Sequence, residues 1–267
     1  MSSMILRSKK LAAIASVVVL TLGAAACSGS DSGSSSSAAA AGDLTRSSFF
    51  RAITAAQSGV PTSHVSMTIS ASGQTISAEG DVEIGKTAAD TSMAMTMDVG
   101  AAGGGSLAMR LIDQSFFINL GEKTGNKFAQ VDLTDTSNPI AQQFGSITEQ
   151  LDPSKQLEQF NEAVSSFEKK GKAVTIDDVS AQPYEIVLDT SKIASFKDVP
   201  SDAAASIPKT LTYTMFIGPD DLLRRITADV QGSTITVDYS RWGKPVDVTA
   251  PPADQLTDID LSQLGVS

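Results

Sequence analysis

An α+β fold, one antiparallel sheet with a minority of helices, is predicted from three observations. Apolar and polar residues alternate at a period of two through most of residues 64–133 and 173–249, as expected of strands with one buried face. Short turn signals separate the runs, among them Ser72-Gly73, Asp113-Gln114, Gly218-Pro219-Asp220-Asp221 and Gln231-Gly232, and connections of that length make hairpins. Helical spacing is confined to the start and middle of the chain.

The first stretch of the chain reads as a leader. Arg7, Lys9 and Lys10 precede an apolar run from Leu11 to Leu22, and small residues then lead into Cys27. A run of 12 residues falls well short of the roughly 20 that a membrane-spanning helix needs, so residues 1–26 are expected to be removed as a signal peptide. Cys27, the only cysteine, resembles the lipid-modified residue of a bacterial lipobox, with Ala24 where that pattern usually has leucine. The other reading is plain secretion after Ala24-x-Ala26, leaving an unmodified Cys27. Acylation gives a lone thiol in an oxidising compartment a use. Residues 27–42 then comprise the lipidated cysteine and a flexible Ser/Gly/Ala linker, and residues 43–267 a single domain.

Within that domain, Asp43 and Thr45 offer N-cap oxygens, Phe49, Ile53 and Ala56 recur at helical spacing, and Ser58-Gly59 with Pro61 supplies a stop, which together predict one amphipathic helix. The period then changes to two. Val65, Met67 and Ile69 define one strand, Ile76, Val82 and Ile84 a second, and Met93, Met95, Met97 and Val99 a third whose inner face is almost all methionine. After a Gly-rich connection at 100–105 come Leu107, Met109 and Leu111, then Phe116, Ile118 and Leu120, then a strand over Lys127 to Leu133. Asn138-Pro139 introduces a short helix, and Asp152-Pro153 caps a longer one ending near Gly171. Its Leu157, Phe160, Val164 and Phe167 are spaced 3, 4 and 3, a stripe that requires cover from the sheet. Strands resume over Ala173 to Val179 and Pro183 to Leu188. Residues 191–206 are ambiguous, with a helix predicted around Asp202 to Ser206. Three further strands carry Leu211 to Ile217, Arg224 to Val230 and Ile235 to Tyr239, and a bend at Arg241 to Pro245 leads into Val246 to Thr249.

Composition narrows the function. The chain has a net charge of −10, and removing the three basic residues of the leader takes it to about −13, which argues against nucleic acid as a partner and against a polybasic grip on lipid headgroups. Aromatics are only 5%, so the core is aliphatic. The one histidine, His64, reads as a solvent-side residue at the start of a strand rather than a triad base, no Gly-x-Ser-x-Gly is present, and one histidine with one cysteine cannot supply the usual zinc ligands. The glycines at 100–105 join two strands and open no helix, so they do not form a phosphate loop. No enzyme activity and no cofactor are expected. The methionine face admits two readings: ordinary core beneath a helix, or a surface that accepts apolar ligands of varied shape.

The run YTMFIGPDDLLRRITADVQGSTITVDYSRWGKPVDVTAPP resembles the closing strands of the LppX/LprG-type lipoproteins of mycobacteria and their relatives. The likeness rests on Gly218 to Asp220 and Trp242 to Val246, and the leader, linker, opening helix and meander follow the same order. The resemblance implies a strongly curved half-barrel sheet, here of about 10–11 strands, with helices packed on its concave face as in LolA and LolB. It also implies an apolar cavity between sheet and helices that holds acyl chains of phospholipids, glycolipids or related lipids. On that basis Met93, Met95, Met97, Leu107, Met109, Leu111, Phe116 and Ile118 are candidates for its sheet side, and Leu157, Phe160, Val164 and Phe167 for its helical side. The expected partners are a lipid or glycolipid, the membrane through acylated Cys27, and a membrane transporter. The expected place is the extracytoplasmic side of the cell membrane. The alternative is a surface-anchored scaffold with a closed core and no ligand.

Overall fold

The computed structural model describes residues 43–71, 73–85, 87–100, 105–135, 137–138, 141, 161–193 and 208–259. The leader, Cys27, the linker, Leu157, Phe160 and the helix expected near 202–206 lie outside them.

Helix α1 (Arg46–Gly59) begins where the sequence places a cap. The Thr45 amide donates to Ser48 Oγ at 3.0 Å, and Thr45 O accepts from the amides of Ser48 and Phe49, so the first turn's free donors are partly satisfied. The helix ends at Gly59, two residues before Pro61, which cannot continue it.

The strands are β1 (Thr62–Ala71), β2 (Gln74–Glu83), β3 (Ser92–Asp98), β4 (Ser106–Ile112), β5 (Ser115–Asn119), β6 (Phe128–Asp132), β7 (Val164–Lys169), β8 (Val174–Ile176), β9 (Val179–Asp189), β10 (Thr210–Ile217), β11 (Leu223–Val230), β12 (Ser233–Ser240) and β13 (Leu256–Thr257). Twelve of them form one path in the order β13-β6-β5-β4-β3-β2-β1-β12-β11-β10-β9-β7, with β8 beside β9. The end strands β13 and β7 do not pair, so this large curved sheet stays open. Two-residue turns set the registers. Asp113-Gln114, Asp177-Asp178 and Gln231-Gly232 all have positive φ at both residues, the backbone twist that matches the strands they join.

Three expectations are corrected. Among the described residues the sheet has 13 strands rather than about 10–11, and it is not wholly antiparallel, because β13 runs parallel to β6. After the expected bend at Arg241, residues 246–249 join no strand. Instead the chain crosses the polar face of the sheet as a strap: Gly243 N donates to Thr62 O at 2.9 Å, Thr62 Oγ1 to Lys244 O at 2.8 Å and Arg110 to Thr249 O at 2.7 Å, before Leu256 pairs with Phe128. Third, the helix expected to reach Gly171 gives way after residue 163, and Val164 and Phe167 belong to β7. Their spacing of three suits a helix, but a register shift between Val164 and Ser166 lets a strand satisfy it too. Val164 stands opposite Leu188 and Phe167 opposite Ile186, so both reach the apolar face.

The main core lies where α1 meets that face. Phe49, Phe50 and Ile53 pack with inward residues of β9 to β12, including Tyr184, Ile186, Leu211, Tyr213, Met215, Ile226 and Val237. Phe49 is fully buried and makes edge contacts with Phe50, Phe167 and Tyr184 at 5.2, 5.0 and 5.2 Å. Trp242 closes one corner, stacked on Tyr239 and donating Nε1 to Leu223 O at 2.9 Å.

Candidate functional site: a methionine-rich apolar sheet face

Period-two alternation in paired strands places every second residue of each strand on one side, so the registers trace rows across the sheet. One row joins Val82, Met93, Leu111, Phe116 and Val131. The next joins Tyr239, Val65, Gly80, Met95, Met109, Ile118 and Ala129. A third runs from Leu107 and Met97 through Ala78, Met67, Val237, Ile226 and Met215 to Tyr184. The eight residues expected on the sheet side therefore share one face, and that face continues without interruption into the main core.

Its two halves differ in how they are filled. Across β9 to β12 the inward residues are buried against α1. On β3 and β4, Met93, Met95, Met97, Leu107, Met109 and Leu111 are all only half-buried, and next to them Phe116, Ala129, Val131 and Ala141 form a second, smaller cluster. Flexible thioethers can repack around guests of varied shape, which a set of branched aliphatics in fixed rotamers does less well.

The backbone is shaped to this face at Gly80. A Cβ there would sit on the Ala94 carbonyl oxygen and within 2.7 Å of Met95 Cα and 2.8 Å of Met95 Sδ. Glycine thus lets β2 and β3 approach closely and lets the Met95 sulfur lie over β2.

On the helical side, Val164 and Phe167 do not face the methionines from a helix. They fill the β7/β9 end of the core, where Phe167 stacks on Tyr184 at 5.6 Å. Sequence reading missed the part played by Val65, Met67, Ala78 and Val82 in continuing the face, although their alternation was visible and only the pairing order was lacking. It also missed Thr54 and Gln57, buried polar residues on the inner side of α1.

The opposite face is largely polar, with Phe117 and Phe128 buried on it. Arg241 donates to Asp81 at 2.6 Å, and His64 Nδ1 lies 2.7 Å from both Asp81 Oδ1 and the Arg241 guanidinium; Arg225 pairs with Asp238 at 2.5 Å, and the Arg110 guanidinium lies 5.1 Å from the Phe128 ring centre. His64 is thus held in an ion-paired surface cluster. Among the described residues no three His, Cys, Asp or Glu side chains converge as a metal site, and no helix is long and apolar enough to cross a membrane. Burial pushes the Tyr213 phenol up to about 12 and raises that of Tyr239 also.

No protein-family model matches the sequence, and no curated protein matches it. Solved structures do. The lipoprotein LppX of Mycobacterium tuberculosis aligns with a TM-score of 0.53 at 16% identity, over 78% of this chain and 100% of that one. LprF of Mycobacterium bovis aligns with a TM-score of 0.52 at 16% identity, over 77% and 96%. The resemblance noted in the closing strands therefore holds in three dimensions: the chain has the fold of the LppX/LprG-type structures, a large unclosed sheet with few helices.

Proposed function

We propose that the protein is a lipid-binding lipoprotein of the cell envelope that takes acyl chains onto the methionine-rich half of its sheet and passes them between envelope layers, without covalent chemistry. The observation that carries this reading is the half-buried face of β3 and β4, continuous with a closed core yet not filled like one. Each methylene that leaves water for such a face contributes about 0.8 kcal/mol, so a long acyl chain supplies ample driving force with little demand for a particular length. The helical cover of the cavity belongs to this proposal, as do acylation of Cys27 and placement on the extracytoplasmic side of the cell membrane. A linker of 15 residues after Cys27 spans roughly 20 Å on average and about 50 Å at most, which keeps the domain close to the bilayer that supplies its cargo. Phospholipids, glycolipids and related lipids fit as ligands, and a membrane transporter fits as the donor or acceptor.

Met95→Glu tests the site. A carboxylate forced into this face costs several kcal/mol unless it is paired, so uptake of a fluorescent phospholipid from vesicles is expected to fall more than tenfold while the far-ultraviolet circular dichroism stays that of the parent. Unchanged uptake by a folded variant would remove this face from the proposal.

A further inference from the structure

Two polar side chains are sealed into the apolar side of α1. Thr54 is 7% exposed and Gln57 3%, and among the described residues neither Thr54 Oγ1 nor Gln57 Oε1 has a hydrogen-bond partner. Phe50, Ile53 and Gln57 stand at i, i+3 and i+7, and Thr54 one turn beyond Phe50, so both oxygens lie on the helix face that also carries buried Phe50 and Ile53. A third unpartnered buried atom, Arg224 Nε, is a different case: its guanidinium already pairs with Asp220 at the 218–221 turn.

Leaving a buried acceptor unpaired costs more than a typical hydrogen bond gains, and an apolar side chain of the same shape avoids that cost. Leucine and valine would therefore serve packing better at 57 and 54. The chemistry of the two oxygens indicates what they suit. Gln57 Oε1 only accepts, so its partner must bring an O–H or N–H, whereas the Thr54 hydroxyl can donate to a carbonyl. Burial adds a restriction on charge: no Asp, Glu, Lys, Arg or His is among the fully buried described residues, so a phosphate or carboxylate sealed in beside these oxygens would find no equally buried counter-charge among them.

We infer that Thr54 and Gln57 form the polar end of the lipid site and favour, over a charged headgroup, an uncharged lipid with a hydroxyl or amide N–H a few bonds from its acyl chains. This rests on the lipid-binding reading above. Gln57 Oε1 accepts from that donor, and Thr54 Oγ1 donates to the neighbouring ester or amide carbonyl.

The probes are dioleoylglycerol, which has a free hydroxyl, and its acetyl ester, which keeps the acyl chains but has none, each titrated against the mature protein. One hydrogen bond corresponds to a preference of about fivefold to tenfold for dioleoylglycerol. Gln57→Leu is expected to bring the ratio to about one by weakening dioleoylglycerol alone. Thr54→Val, which removes the donor to a carbonyl that both lipids carry, is expected to weaken both equally, and neither variant is expected to melt below the parent. If the parent binds both lipids equally, or Gln57→Leu keeps the parent's ratio, the inference is overturned and the lipid-binding reading stands. If the parent binds neither lipid yet takes up the fluorescent phospholipid from vesicles, this inference is overturned and the lipid-binding reading stands; if it takes up none of the three, the lipid-binding reading falls and this inference with it.

Discussion

Replacing Gly80 by alanine puts the shape of the sheet to a test in which the sign of the effect decides. In an ordinary strand Gly→Ala stabilises by roughly 0.4–1 kcal/mol, because it restricts the unfolded chain. At Gly80 the new Cβ would meet the Ala94 carbonyl and would lie within 2.7 Å of Met95 Cα and 2.8 Å of Met95 Sδ. The sulfur can swing away, but the backbone of β3 is held by seven residue pairs to β2 and six to β4. Overpacking against fixed backbone costs about 1–3 kcal/mol, so Gly80→Ala is expected to destabilise by about that amount. Urea unfolding followed by the fluorescence of Trp242, the only tryptophan, measures it. Gly59→Ala provides the control, since nothing lies within 4 Å of a Cβ there, and is expected to be neutral or mildly stabilising. A Gly80→Ala protein as stable as its parent would refute the close approach of β2 and β3.

Further outcomes follow from the same geometry. Phe49→Ala removes a fully buried ring with three aromatic contacts and is expected to cost about 3–5 kcal/mol in the same unfolding assay. Trp242→Phe leaves the buried Leu223 carbonyl without its donor and is expected to cost about 1–3 kcal/mol, read from the thermal midpoint because the fluorophore is lost. Tyr213, raised by burial from 10.0 to about 12, holds its proton more tightly folded than unfolded. Its contribution is therefore intact below pH 10 and is lost as pH rises toward 12, with a slope of about 1.4 kcal/mol per pH unit. Urea titrations at stepped alkaline pH, with tyrosinate absorbance recorded in parallel, check that window against a Tyr213→Phe protein.

Legibility in the sequence followed the kind of physics involved. The face made by Met93, Met95, Met97, Leu107, Met109 and Leu111 was readable because strand alternation is local and the hairpin turn at Asp113-Gln114 fixes which residues oppose one another. Gly218 to Asp221 and Gln231-Gly232 were readable for the same reason. Asp177-Asp178 is not, since two aspartates in the left-handed region carry no glycine to announce the turn, and the strand expected over Ala173 to Val179 runs through it, where β8 ends at Ile176 and β9 starts at Val179. Val164 and Phe167 misled because a bulge lets a strand imitate helical spacing. The strap and the parallel pairing of Leu256 with Phe128 depend on contacts more than a hundred residues apart, which no local pattern encodes. Thr54 and Gln57 look like ordinary surface positions of an amphipathic helix until burial is known. Leu157 and Phe160, expected to cover the face from its helical side, lie outside the described residues, and that cover belongs to the proposal.

The most direct measurement is native mass spectrometry of the domain purified without its leader and Cys27, followed by identification of any adduct after extraction. Recovery of stoichiometric lipid, exchangeable for lipid added in vesicles and lost in the Met95→Glu protein, is the expected result. Repeated recovery of bare protein that also takes up no added lipid would contradict the carrier and favour a scaffold with a closed core.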